Sequence, residues 1–102
     1  MKCSVLYSKR TVDDLKTISK DVFNSCLDKN ITSKYKRDLK NKIKRKTLFP
    51  NSGAPLYFMG LFTGFRYINY KSYIAFYKVT EDKIIVERIL PAKSDYCSTL
   101  FN

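Results

Sequence analysis

Histidine is absent from this chain, and with it the commonest general base and the commonest metal ligand in proteins. The three cysteines are widely separated, odd in number and form no C-x-x-C pair, namely Cys3, Cys26 and Cys97. This pattern argues against a zinc site or a redox motif and favours free thiols in a reducing compartment. We therefore expect no metal and no cofactor, so that any chemistry must use arginine, lysine, tyrosine or carboxylate side chains.

Long apolar runs are also missing. No stretch approaches the ~20 residues that a membrane-spanning helix requires, and Met1 leads directly into a strand-like segment instead of a signal peptide. These absences predict a cytoplasmic protein with no membrane partner. The chain has 102 residues and no internal repeat or low-complexity segment, which predicts one domain, residues 1–102, with a modest core.

Positive charge is present in excess, because 20 basic side chains against 9 acidic ones give a formal net charge of +11. The excess is uneven: residues 1–50 contain 14 basic and 5 acidic side chains, whereas residues 51–102 contain 6 and 4. Such a field favours binding to nucleic acid, the ribosome, an anionic membrane or an acidic protein.

Two helices are predicted in the first half of the chain, after a short strand at residues 2–7. The first helix carries apolar residues at spacings of three and four, which are Val12, Leu15, Ile18, Val22 and Cys26. Ser8 or Thr11 can cap its N-terminus, and it should end near residues 28–30. The second helix is expected at roughly residues 32–47, with an apolar stripe of Tyr35, Leu39 and Ile43.

The second helix is the most basic part of the chain, with eight cations between Lys34 and Lys46 against one acid, Asp38. Its candidate nucleic-acid-binding residues are Lys36, Lys40, Lys42, Lys44, Arg45 and Lys46. Lys42 and Lys46 fall on the same stripe as the apolar residues. Either their stems lie along the edge of the core with the charges in solvent, or this end of the helix overhangs the sheet and faces a partner.

Strands are predicted in the second half, because the apolar period changes from that of a helix to that of a strand near Pro50. A turn-rich linker at residues 49–54 precedes an apolar segment, residues 56–62, that is either a ragged strand or a loop packed on the core. Three clearer strands follow at residues 65–70, 72–79 and 84–90, the last two joined as a hairpin by a polar turn.

The faces of the hairpin can be assigned from its alternation. Tyr73, Ala75, Tyr77 and Val79 point one way, and Ile74, Phe76 and Lys78 point the other. Both faces carry large apolar groups, so the sheet needs a cover, which the two helices can supply. The predicted fold is α+β, in the order β-α-α-β-β-β, with a helical hairpin packed on a mainly antiparallel twisted sheet.

Several segments of this chain are similar to a known family. They are the Y-I-A-F-Y-K-V and I-I-V-E-R-I-L runs of the hairpin, Gly64-Phe65-Arg66-Tyr67 before it and the pair Asp95-Tyr96 after it. Together with the element order and the basic helices, they resemble the RelE/ParE superfamily of toxins from type II toxin–antitoxin modules. The resemblance implies an acidic antitoxin whose foldable C-terminal segment wraps the toxin in a hetero-oligomer.

The resemblance leaves the target open, because RelE-like members cut mRNA in the ribosomal A site and ParE-like members poison DNA gyrase. RelE-like nucleases typically place an arginine after the tyrosine that opens the third strand, where this chain has Ile74. Our first hypothesis is ribosome-dependent mRNA cleavage by a metal-independent endoribonuclease. The alternatives are a gyrase inhibitor with no catalytic activity and a nontoxic, basic nucleic-acid-binding domain.

Cleavage by attack of a 2′-hydroxyl requires a group that removes its proton, a cation for the phosphorane-like charge and an acid for the leaving oxygen. The candidate catalytic residues are Arg66, Arg88, Lys93 and Tyr96. Arg88 also has a structural alternative, because it lies in a strand whose pattern places it at the rim of the core. The many strand tyrosines could stack on bases or simply belong to the core.

Overall fold

A five-stranded mixed sheet organises the molecule, with the strand order β1-β5-β4-β3-β2. The computed structural model describes residues 3–101. Its strands are β1 (Ser4–Tyr7), β2 (Ala54–Phe58), β3 (Leu61–Tyr70), β4 (Tyr73–Val79) and β5 (Lys83–Pro91), and its helices are α1 (Lys9–Cys26), α2 (Lys29–Arg45) and α3 (Tyr96–Phe101). β1 is parallel to β5, and the other neighbours are antiparallel. The predicted α+β fold with a helical hairpin is confirmed; Lys2, the predicted start of β1, lies outside the described residues.

The helices begin and end at identifiable caps. Ser8, the first of the two predicted caps, accepts a hydrogen bond from the backbone N–H of Thr11 at 3.1 Å. Leu27 ends α1 in the left-handed conformation with φ of 54°. Asp28 then caps α2 by accepting from the N–H groups of Asn30 and Ile31. Because this carboxylate is so effective a cap, α2 begins three residues before the predicted start at residue 32.

The second half contains one more strand than the predicted order, because the apolar segment at residues 56–62 is a hairpin. Met59 and Gly60 connect β2 to β3 and both have positive φ, 53° and 80°. A two-residue connection of this conformation matches the twist of the flanking strands. A third helix, α3, follows β5, and the sequence pattern did not predict it. None of the helices among residues 3–101 has the length and apolarity needed to cross a membrane.

Both faces of the sheet are covered. The first core lies between the sheet and the α1–α2 pair and contains Leu15, Ile18, Leu39, Ile43, Ile68, Ala75, Tyr77, Ile84, Val86 and Ile89. The second core lies on the opposite face, under α3, and contains Leu56, Phe65, Ile74, Phe76 and Leu90. The predicted division of β4 into two apolar faces is therefore confirmed, and α3 supplies the cover for the second face.

Candidate functional site

The first turns of α1 cap the part of β5 that extends beyond β1. The pairing of β1 with β5 ends at Tyr7 and Val86. The hydroxyl of Thr11 donates to the carbonyl of Val86 at 2.7 Å, and that of Ser8 donates to the carbonyl of Glu87 at 2.9 Å. The backbone N–H of Ile89, further along β5, likewise donates to an α1 side chain, the carboxylate of Asp14. The free edge of β5 is thus satisfied by side chains where a strand partner is missing.

Arg88 belongs to this same capping arrangement. Its Nε and Nη2 donate to Oδ2 and Oδ1 of Asp14 at 2.8 and 3.0 Å, and Oδ2 also accepts from the N–H of Ile89 at 3.0 Å. The side chains of Arg88 and Asp14 are only 21% and 14% exposed. The hydrogen bond to Asp14 raises the pKa of Arg88 although burial acts in the opposite direction. The guanidinium that could stabilise a reacting phosphate is therefore already neutralised within the fold.

Arg66 lies on the face of the sheet that the helices cover. Its Nη1 donates to the carbonyl of Gly53 at 3.1 Å, and its guanidinium lies 5.4 Å from the ring centroid of Phe62. It pairs in register with Tyr77, whose buried hydroxyl donates to the carbonyl of Pro50 at 2.7 Å and accepts from the N–H of Gly53 at 3.0 Å. Burial raises the pKa of Tyr77. The hydrogen bond from the Gly53 N–H and the positive charge of Arg66 act in the opposite direction and offset part of this increase. The contacts of the Tyr77 hydroxyl with Pro50 and Gly53 fix the linker to β4, and we call them the Tyr77 clamp. Arg66 supports this clamp through its own hydrogen bond to Gly53.

Lys93 and Tyr96 follow the C-terminal end of β5. Lys93 is exposed in the turn after this strand. Tyr96 begins α3, and its ring packs against Phe76 in the second core with centroids 5.1 Å apart. Arg66 and Tyr96 are therefore on opposite faces of the sheet. The four candidate catalytic residues do not surround a common groove.

A small cleft nevertheless lies beside Arg88. Its volume is about 290 Å³, and its walls include Lys9 and Arg10 at the start of α1, Glu87 and Arg88 on β5, and the end of α3. The other three candidate catalytic residues do not line it. Among residues 3–101 there is also no cluster of three or more cysteine and carboxylate side chains that could hold a metal ion.

The lysines of α2 divide into two groups. Lys42 donates to the backbone carbonyl of Asn69 at 2.5 Å, and Lys46 donates to the hydroxyl of Ser52 at 3.3 Å. Both side chains are half-buried, so their stems lie along the edge of the core, which was the first of the two predicted alternatives. The remaining candidates face outward: Lys44 and Arg45 are exposed, and Lys36 and Lys40 are partly exposed.

A groove runs between the outward face of α2 and β1. Its volume is about 550 Å³, and it is lined by Cys3, Ser4, Val5, Tyr7, Lys40, Asn41, Lys44, Thr47 and Leu48. The ammonium of Lys40 lies 5.5 Å from the ring centroid of Tyr7 and leans over the strand. The alternation of Cys3, Val5 and Tyr7 beside a cationic helix was the only signal of this groove in the sequence, because its width depends on how α2 packs.

Exposed apolar side chains, which together we call the hairpin surface, cover both faces of the β2–β3 hairpin at its tip. It consists of Tyr57, Phe58, Met59, Leu61 and Phe62, which are between 42% and 86% exposed. Only Leu56 of this segment is buried, so the segment is not a loop packed on the core. Leu48 and Phe49, which precede the hairpin, are also more than 70% exposed. The whole span from residue 39 to residue 80 contains no carboxylate side chain.

Tyr35, Tyr70 and Tyr73 fasten α2 to the sheet at the opposite end of β3. Their rings meet edge to face, with centroids 5.2 Å apart for Tyr35 and Tyr70 and 6.5 Å apart for Tyr35 and Tyr73. Burial, assisted by the two neighbouring phenols, raises the pKa of Tyr35 to about 12. These tyrosines pack in the first core, in agreement with the structural alternative to base stacking.

Residues 5–96 of the chain match the family model described as "ParE toxin of type II toxin-antitoxin system, parDE". Among solved structures, the chain is similar to one from the chromosomal ParDE TA system of P. aeruginosa, with 19% identity and a TM-score of 0.72 over 90% of this chain and 98% of that chain. YafQ from E. coli strain BL21(DE3) gives 20% identity and a TM-score of 0.59, covering 99% of this chain and 100% of YafQ. A chain of the E. coli DinJ-YafQ toxin-antitoxin complex gives 21% and 0.57, with both chains covered in full. No curated protein matches the chain significantly.

Proposed function

Because this chain belongs to the ParE toxin family of type II toxin–antitoxin systems, we propose that it inhibits growth by binding a protein target rather than by cutting RNA. The favoured target is DNA gyrase, which ParE-like members poison. The natural inhibitor of the toxin is an acidic antitoxin encoded with it. The proposal assigns no catalytic residue to the chain.

The observation that carries this proposal is the pairing of Arg88 with Asp14. A nuclease needs a cation preorganised at the reacting phosphate, and the loss of one such group typically costs ~10²–10³ in rate. Here Arg88 of β5 is held by two hydrogen bonds to a carboxylate, and Arg66 is bound to a backbone carbonyl. β4 has Ile74 at the position where RelE-like nucleases typically have an arginine. A stoichiometric inhibitor requires none of these groups.

A binding mechanism does require a complementary surface, and the hairpin surface supports this part of the proposal. Large exposed apolar patches on small proteins commonly mark interaction sites. Tyrosine, methionine and phenylalanine are enriched in the centres of protein interfaces. Arg66, which lies over the ring of Phe62, adds a residue type that often contributes strongly to binding. We therefore assign target binding to the tip of the β2–β3 hairpin.

An acidic antitoxin fits the charge of the chain. A net charge of +11 accelerates encounter with an acidic polypeptide and disfavours basic competitors. The solved relatives include a ParDE system and a DinJ-YafQ toxin-antitoxin complex. By analogy, we propose that this toxin is held in a hetero-oligomer with its antitoxin until the antitoxin is removed.

Ribosome-dependent mRNA cleavage remains the second candidate, because of the cleft beside Arg88. Lys9, Arg10 and Arg88 all line it, and three cations around one cavity suit a phosphate. For this function Arg88 would have to exchange Asp14 for the scissile phosphate. Glu87 would be the candidate general base, since it lines the cleft and Tyr96 and Lys93 do not.

The two candidates separate in a paired assay of the purified chain. We expect inhibition of supercoiling by DNA gyrase and no cleavage of message on purified ribosomes. Cleavage of message without any effect on gyrase would reverse the assignment. Expression from a tightly controlled promoter supplies the cellular comparison, in which a gyrase inhibitor stops replication before translation. A chain with no growth phenotype, and an RNA affinity that falls steeply with salt, would instead be a nontoxic nucleic-acid-binding domain.

A further inference from the structure

The side of α2 that faces away from the sheet concentrates positive charge, and we call it the cationic face. Its exposed and partly exposed basic side chains are Lys34, Lys36, Arg37, Lys40, Lys44 and Arg45. A shallow depression in the middle of this face is lined by Ser33, Lys36, Arg37, Lys40 and Asn41. The lining therefore contains cations and polar groups, with no carboxylate and no apolar side chain.

The charges of the cationic face are not neutralised within the fold. Among residues 3–101, the one ion pair is that of Arg88 with Asp14. Asp38, the only acid of α2, lies near Tyr70 of β3: burial raises the pKa of Tyr70, and the charge of Asp38 adds to this increase. The cationic face is thus left with a net charge that an anionic partner can neutralise.

The spacing of these cations opposes the stability of the helix. Lys36, Lys40 and Lys44 follow one another at intervals of four residues, and like charges at this spacing destabilise a helix. Lys42 and Lys46 compensate for their charge by hydrogen bonds to Asn69 and Ser52, outside α2. Within residues 3–101, the row of three shows no such hydrogen bond, and only Lys40 touches another element, at the ring of Tyr7. A ligand with several negative charges would offset the repulsion within this row.

The composition of the cationic face favours a nucleic acid over an acidic protein. Protein interfaces depend on buried aromatic and apolar anchors, and no such side chain lines the depression on this face. Contacts with phosphates require only charge and hydrogen-bond donors. Ser33 and Asn41, between the cations, add donors of the kind that bind phosphate oxygens.

A duplex suits this face better than a single strand. Single-stranded nucleic acids are held largely by stacking of their bases on aromatic side chains. No aromatic side chain lines the depression, and Tyr35 of the same helix packs against the first core. From Lys34 to Arg45 the helix rises ~16 Å, so its cations form a rigid row. Such a row matches the regular array of phosphates along a duplex.

We propose that the cationic face of α2 binds the phosphate backbone of duplex DNA, and that the toxin thereby engages DNA gyrase together with the DNA on which this enzyme acts. The hairpin surface contacts the protein, and α2 contacts the DNA. Because the contacts are made to phosphates, binding has no sequence preference. This inference rests on the proposed function, since the DNA is the substrate of the proposed target.

The first test measures binding of the full-length chain to a short fluorescent DNA duplex at several salt concentrations. The variant Lys34→Gln, Lys44→Gln should weaken binding at low salt by about tenfold or more, and it should reduce the slope of log affinity against log salt by about two, or ~1 for each lysine. The matched control Lys16→Gln, Lys20→Gln removes the same charge from exposed positions of α1 and should keep the slope of the wild type. Unfolding curves show that both variants are folded.

The second test measures inhibition of supercoiling by DNA gyrase with the same proteins. The α2 variant should require about tenfold more toxin than the α1 control, and raising the salt concentration should reduce this difference. Equal binding of the duplex by the two variants would overturn the inference. So would an α2 variant that binds the duplex poorly but inhibits gyrase as well as the control does. Tighter binding of polyglutamate or of single-stranded RNA than of the duplex, at equal salt, would reassign the cationic face to a different ligand.

The two proposals can fail independently. If the wild-type chain inhibits gyrase and the two variants bind the duplex equally, only the assignment of α2 is wrong. If the wild-type chain does not inhibit gyrase, the choice of target is wrong. Binding of the duplex that depends on Lys34 and Lys44 would then still identify α2 as a DNA-binding element.

Discussion

Asp14 holds Arg88 through two parallel hydrogen bonds while its Oδ2 also accepts the backbone N–H of Ile89. One carboxylate therefore joins α1 to β5 at the point where β1 ends. Replacing it affects both an ion pair and a backbone group, in a region that is mostly buried. Asp14 and Arg88, which are 74 residues apart in sequence, thus link α1 to β5.

We first predict that Asp14→Ala lowers the free energy of unfolding by about 1–3 kcal/mol, because it leaves a charged donor and a backbone donor without their acceptor. Arg88→Ala should cost a similar amount, so loss of toxicity in that variant would not by itself identify a catalytic group. The measurement is urea unfolding of both single variants and the double variant. Strictly additive losses would show that the two side chains are not coupled.

The clamp around Tyr77 gives a second prediction. Tyr77→Phe leaves the N–H of Gly53 and the carbonyl of Pro50 without the hydroxyl that they share, at a cost of about 1–3 kcal/mol. Gly53→Ala should be worse, because its Cβ would lie within 2.8 Å of two ring carbons of Tyr77 and closer still to its hydroxyl oxygen. The control is Tyr57→Phe, whose ring is 59% exposed. Equal unfolding midpoints for the two Tyr→Phe variants would refute the clamp.

Alkaline pH supplies a third prediction. The pKa of Tyr35 is raised to about 12, whereas a phenol in the unfolded chain ionises near ~10. Between these values the folded chain keeps a proton that the unfolded chain releases. The contribution of Tyr35 to stability is therefore complete below about pH 10 and is lost as the pH rises towards 12. Tyr35→Phe should flatten this part of the stability curve, measured by urea unfolding at several alkaline pH values, and an unchanged slope would contradict the assignment.

The hairpin surface gives a fourth prediction. Met59→Asn combined with Leu61→Ser should weaken inhibition of gyrase by about tenfold or more, since exposed apolar residues at the centre of an interface dominate its affinity. The matched control is Leu27→Asn with Ile31→Ser at the other end of the molecule. Leu27 and Met59 have nearly the same positive φ, 54° and 53°, and are 75% and 86% exposed. If both double variants inhibit equally, the target binds elsewhere.

The two groups of lysines in α2 give a fifth prediction. Lys42→Glu with Lys46→Glu should lower the unfolding midpoint. Each side chain donates to a group outside α2, Lys42 to the carbonyl of Asn69 in β3 and Lys46 to the hydroxyl of Ser52 in the linker. Lys44→Glu with Arg45→Glu should leave the midpoint unchanged, since both side chains are exposed. Either pair should reduce affinity for single-stranded RNA measured at low salt. Identical midpoints for the two pairs would show that Lys42 and Lys46 do not support the fold.

Local pattern was enough to predict the faces of β4. Side chains alternate along any strand, so the assignment of Tyr73, Ala75 and Tyr77 to one core and of Ile74 and Phe76 to the other needed no knowledge of their partners. The helices were predicted for the same reason, because their apolar spacing is a property of short windows.

Partners distant in sequence could not be predicted in this way. Nothing near Arg88 indicates that Asp14 will neutralise it, and nothing near Arg66 indicates its contact with Gly53. α3 was missed because a segment of six residues is too short to show a helical period. Its position depends on distant rings: Tyr96 packs on Phe76 of the second core at 5.1 Å, and Phe101 stacks on Phe58 of the hairpin surface at 5.3 Å.

The parallel pairing of β1 with β5 has a consequence for the timing of synthesis. Ser4 pairs with Lys83, so the first strand to be made has no neighbour in the sheet until the last strand has been made. Contacts between such distant segments slow folding. The sheet therefore closes only after β5 has been synthesised. An antitoxin that is already present when the toxin is made would therefore meet a chain whose β1 has no partner strand yet.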